Sequence, residues 1–101
     1  MFLSLFKVDG ISMESIIPDK SCVFVNHYNK HNKINDLVVF KHKTYGRLIK
    51  KLVNIDKDNF YWFEGIYGKS ISKENIGPVK QDNIIGKVII SISSKSLKIH
   101  L

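Results

Sequence analysis

Short apolar runs follow one another along this chain, separated by clusters of Gly, Pro, Asn and Asp. That is the pattern of successive strands and turns rather than of helices. Residues 2–8 predict a first strand. Pro18-Asp19-Lys20 predicts a turn. Residues 21–26 predict a second strand, with Val23 and Val25 on one face and Cys22 and Phe24 on the other. The Asn-rich stretch 27–33 predicts an exposed loop. Leu37-Val38-Val39-Phe40 is a continuous apolar run, as expected of a strand buried on both faces. Lys43-Thr44-Tyr45-Gly46 predicts a hairpin turn into a strand over 46–54. Asp56 to Asn59 predicts another turn, before the aromatic strand Phe60-Tyr61-Trp62-Phe63. The stretch from Gly65 to Pro78, with little periodicity, predicts a long irregular connection. Gln81-Asp82-Asn83 predicts a short helical turn, 84–92 a last main strand, and 96–101 an edge. Six or seven short strands, with no internal repeat and no long amphipathic helix, predict a mainly β fold, a small barrel or sandwich.

Composition narrows this picture. A chain of 101 residues is expected to form one domain, 1–101, with a small core. A hydrophobic share of 44% sets it among globular rather than disordered proteins. The single cysteine, Cys22, excludes an internal disulfide and reads as a buried structural thiol. The net charge of +7 invites an anionic partner. The lysines are scattered, however, and neither a helix-turn-helix nor an aromatic RNA-binding signature is present, so a solvated basic surface is favoured over nucleic-acid binding. Met1 to Phe6 is too short to span a bilayer and lacks the organisation of a secretory signal. The chain as it stands is expected in the cytoplasm; one that had lost an anchor would be membrane-associated or extracytoplasmic. Phe2, Leu3, Leu5 and Phe6 could dip into a membrane surface, but a core strand is their more ordinary fate.

Metal and cofactor chemistry find little footing. His27 and His31 are four residues apart, but in a loop-like stretch with no Glu or Cys to join them, and His42 and His100 are isolated. Zinc asks for at least three protein ligands. No cofactor is expected. The Gly-x-Ser-x-Gly pattern of a nucleophile elbow is absent, and no close acidic pair lies in an apolar setting.

Two stretches carry candidate chemistry. Val8-Asp9-Gly10-Ile11-Ser12-Met13 puts Ser12 on a turn, where a nucleophile would stand, although serine needs a base. Arg47-Leu48-Ile49-Lys50-Lys51-Leu52-Val53 puts a lysine inside an apolar strand. Alternation places Lys50 on the face of Leu48 and Leu52. If that face looks inward, burial disfavours the ammonium, and Lys51 points outward. Bringing a lysine from about 10.4 to near 7 takes roughly 4 kcal/mol of desolvation and repulsion. If the face is solvated, Lys50 is an ordinary surface cation.

The order Gly10-Ile11-Ser12-Met13, Val23-Phe24-Val25, Asp36-Leu37-Val38-Val39-Phe40 and Ile49-Lys50-Lys51-Leu52 resembles the Ser/Lys-dyad peptidases, which comprise signal peptidase I and the self-cleaving SOS and phage repressors. The resemblance covers residues 8–92 and implies the fold shared by signal peptidases and repressor C-terminal domains. It implies Ser12 as nucleophile and Lys50 as general base. It also implies Met13 in the substrate pocket and the backbone at Gly10 and Ser12 as the oxyanion hole. Ser70 would orient the lysine. The substrate would be a peptide or protein bound as an extended strand, with small residues at the cleavage site and Phe2, Leu5, Met13 and Ile17 as lining. With eleven residues ahead of Ser12, the expected form is a minimal catalytic domain acting in trans, as in the short soluble maturation proteases. The chain departs from the family pattern at Ser15, at Gly65-Ile66-Tyr67 and across Ser70-Ile71-Ser72-Lys73-Glu74. Those departures frame the alternative, a domain of the same fold that binds protein or nucleic acid without catalysis.

Overall fold

The computed structural model describes residues 3–9, 13, 16–27, 32–66, 71–94 and 96–100. Seven strands form one antiparallel sheet: β1 (Leu3–Lys7), β2 (Cys22–Asn26), β3 (Leu37–His42), β4 (Gly46–Ile55), β5 (Tyr61–Glu64), β6 (Ile84–Ile92) and β7 (Leu97–Ile99). Their order is β1-β2-β6-β3-β4-β5, with β7 paired to β6. The sheet is not closed, yet it curls. The Arg47 guanidinium of β4 lies 4.3 Å from the Phe6 ring centroid of β1, although β2, β6 and β3 stand between those strands. Right-handed strand twist accumulates across a sheet and brings distant strands together in this way.

The mainly β expectation holds, with a single curled sheet in place of a closed barrel or a two-sheet sandwich. The side-chain period of two sorts the core onto two faces. Val39, Val23, Val25 and Val88 join Met13 and Ile17 in one cluster. Val38, Phe40, Leu52 and Phe63 form the other, with Phe40 and Phe63 stacked at 4.2 Å between centroids. Leu37 to Phe40 is buried on both faces, as the continuous run predicts.

Turn chemistry fixes the connections. The β3–β4 hairpin closes through His42 and Gly46, whose φ of +76° suits glycine. Asp56 accepts from the amides of Asp58 and Phe60 and from the Trp62 indole, and these hydrogen bonds, the indole's first, hold its carboxyl below the usual range. The irregular connection contains a short helix, α1 (Lys73–Ile76). Ser72 caps it, accepting from the Asn75 amide at 3.1 Å, and Gly77 at φ +75° ends it. His42 ties α1 to the sheet. Its Nδ1 accepts from the Thr44 and Tyr45 amides, so Nε2 donates to the Ile76 carbonyl at 2.8 Å. The predicted loop 27–33 is only partly exposed, since Asn32 is buried. Cys22 is half-buried. The outward face of β1, β2, β6 and β7 carries exposed Leu3, Leu5, Ile92, Leu97 and Ile99. No described helix is long and apolar enough to cross a membrane.

Gly86 marks where β6 passes closest to β2. A Cβ there would collide with the Asn26 carbonyl and come within 2.8 Å of Val25 Cγ1. Gly86→Ala is therefore expected to destabilise the domain by about 1–3 kcal/mol, read as a lower midpoint in urea denaturation with unchanged slope.

Candidate functional site

The loop joining β1 to β2 is the first half of the site. Its neck is closed by backbone bonds, Val8 N–H to the Ser21 carbonyl and Lys20 N–H to the Val8 carbonyl, both 2.8 Å. Asp9 and Lys20 pair across the same neck at 2.9 Å, and Lys20 holds the Asp9 carboxyl below its ordinary range by hydrogen bonding and charge. Inside the loop the Met13 carbonyl accepts from the amides of Ile16 and Ile17, making one tight turn. Met13 and Ile17 bury their side chains in the first core cluster. From the far end of the chain, the Lys98 ammonium of β7 donates to the Ile16 carbonyl at 3.2 Å. The loop is thus held at its neck, from below and from the side. Gly10 and Ser12 lie outside the described residues, as do Phe2 and Ser70.

The second half is β4. Lys50 is 2% exposed. It lies opposite Val38 on β3, and it shares a face with buried Leu52 and half-buried Leu48. Of the two sequence readings of Lys50, the inward-facing one therefore describes the strand. Burial alone pushes its ammonium below the ordinary lysine value, because the apolar surroundings disfavour the charged form. Lys51, on the other face, is half-buried beside Asp36 and Lys87. Those two residues pair at 3.4 Å.

β5 pairs with β4 only from Lys51 onward. The stretch from Gly46 to Lys50 thus has β3 on one side and no described strand on the other. A cavity of about 100 Å³ opens along this bare edge, and its walls include Phe6, Met13, Ile17, Val39, Ile49 and Lys50. The curl of the sheet supplies the β1 wall. Of the expected lining, Met13 and Ile17 are there. Leu5 is not: alternation turns it to the outer face, 58% exposed, and Phe6 takes the inward position. Val39 and Ile49 also line the cavity and were not singled out from sequence; their apolar strand runs mark them as core but not as cleft.

The histidines are occupied structurally. His27 Nε2 is 2.6 Å from Ser4 Oγ, and His100 Nε2 is 2.8 Å from Ser91 Oγ. Burial, and then the charges of Lys98 and Lys87, disfavour the imidazolium of His100. His31 lies outside the described residues, and no cluster of three metal-ligating side chains occurs among the described ones.

The site thus combines a buried strand lysine, a stretch of β4 that no described strand covers on one side, and a loop pinned at its neck, in a compact, curled β domain. A family model described as Peptidase S24-like matches residues 3–89, and the chain belongs to that family. No curated protein matches it. The matched span holds β1 to β5 and most of β6, while β7 lies beyond it.

The burial of Lys50 has a measurable cost. Its pKa is lower folded than unfolded, so between those two values the unfolded chain binds more protons and stability rises with pH. Lys50→Met removes the buried charge. It should raise the melting temperature at neutral pH, by about 4–8 °C for each kcal/mol relieved. The gain should shrink as pH climbs towards about 10.4. A margin that does not vary with pH would contradict a depressed lysine.

Proposed function

We propose that the protein is a serine endopeptidase of the signal-peptidase-like type, with Ser12 as nucleophile and Lys50 as general base. The observation that carries the reading is the burial of Lys50 on an apolar strand face, at a cavity that it shares with Met13, the residue next to Ser12. A lysine that loses its proton more easily than usual can act as a base near neutral pH. Membership of the Peptidase S24-like family supports the same chemistry. The non-catalytic alternative calls for a Lys50 with an ordinary pKa, on a solvated face or too far from Ser12, and the burial runs against the solvated face.

In the reaction, neutral Lys50 accepts the Ser12 hydroxyl proton as Oγ attacks the scissile carbonyl. Backbone N–H groups at the Gly10–Ser12 turn stabilise the oxyanion. Protonated Lys50 then gives its proton to the leaving amine, leaving an acyl-enzyme. Water, deprotonated by the same lysine, hydrolyses the ester. The substrate adds as an extended strand along β4 between Gly46 and Lys50, on the side where no described strand pairs with it. A cavity of about 100 Å³ suits a small side chain beside the scissile bond. Ser70 is the proposed partner that orients Lys50.

Ser12→Ala and Lys50→Ala should each lower cleavage of a peptide substrate by at least about a thousandfold, with the circular dichroism spectrum unchanged. In the unsubstituted protein, kcat/KM should rise with pH through the depressed pKa of Lys50, giving an inflexion below about 10.4. Cleavage that survives in either variant removes the dyad.

A further inference from the structure

The mouth of the cleft carries an arginine that no described ion pair neutralises. Arg47 is exposed, lies over Phe6, and lines the cavity. Lys7 is exposed on the outer face of β1, where its charge acts on Asp9. Lys41 stands directly opposite Arg47 in the β3–β4 ladder, also exposed. Like charges placed directly opposite each other destabilise a sheet. The hairpin therefore tolerates a repulsive pair, of which Arg47 lines the cleft. Among the described residues, no ion pair joins Lys7, Lys41 or Arg47 to a carboxylate. The one acidic wall residue, Asp9, is already held by Lys20.

Geometry sets the Arg47 charge where a substrate would meet it. Arg47 belongs to the bare stretch of β4, three residues before Lys50. Its side chain leaves β4 on the face of Ile49, towards Phe6, while Lys50 leaves on the other. Stacking on Phe6 fixes the guanidinium without using its hydrogen-bond donors, which stay free for a carboxylate. A peptide lying along β4 would pass this guanidinium.

We propose that the cleft takes peptides with an acidic side chain within a few residues of the scissile bond, and that Arg47 determines this specificity. The inference rests on the peptidase reading for the word scissile, but the charge preference itself can be measured without cleavage.

The test uses the full chain carrying Ser12→Ala, so that bound peptide stays intact. Two fluorescein-labelled alanine–glycine peptides are compared by anisotropy, one with two central glutamates and the other with two central lysines. The glutamate peptide should bind at least about fivefold more tightly at low salt, and the margin should fall as salt rises. Arg47→Glu should abolish or reverse the margin, while Arg47→Lys should keep its sign. Equal binding of the two peptides, or a margin unchanged by Arg47→Glu, would overturn the proposal. Cleavage of the glutamate peptide by the Ser12 protein is scored separately. Selective binding with no cleavage would leave the specificity standing and remove the peptidase reading. Cleavage of both peptides at equal rates, with equal binding, would do the opposite.

Discussion

An ammonium group does not enter an apolar interior without consequence. The burial of Lys50 is the constraint on which the rest of this structure turns. Water is a far better solvent for the charge than the side chains of Val38, Leu48 and Leu52 are. The strand therefore carries a residue that the fold would be more stable without, and its proton is more easily lost. Such a residue persists in a strand only because its neighbours determine the position: β3 fixes its register, Leu52 anchors its face, and the second core cluster lies beneath.

The remaining architecture can be understood as what sets this lysine at a cleft. β5 stops short and leaves the edge of β4 bare beside it. The curl of the sheet swings β1 round to form the opposite wall, with Arg47 on Phe6 marking the closest approach. The β1–β2 loop is pinned at its neck by two backbone bonds and an ion pair, and inside by Met13 and Ile17. Lys98 adds a hydrogen bond from β7, outside the region that the family model matches. A site held by several independent contacts keeps its geometry within a narrow range.

Much of this was legible in the sequence, because strand periodicity is a local property. Leu37 to Phe40 and the 84–92 strand follow from alternation and turn residues, whereas alternation put Lys50 on the face of Leu48 and Leu52 and left open whether that face looks inward. The short helix α1 was missed within the connection to Pro78, although Ser72 and Gly77 flank it as caps; four residues are too few to show a helical period. Leu5 was placed in the cleft on hydrophobicity alone, and the parity of β1 sends Phe6 there instead. Arg47 on Phe6 had no local signal at all, since it depends on curvature summed over five strands. The role of Ser12 came from the order of motifs and not from its surroundings, for a lone serine on a turn is chemically unremarked.

The separation between Ser12 Oγ and Lys50 Nζ in an experimental structure of the protein, crystallised above neutral pH, tests the central claim most directly. The account predicts about 3 Å, with Nζ shielded from solvent and aimed at the hydroxyl. A Ser12 side chain turned away from the cavity, with Nζ reaching bulk water instead, would contradict it.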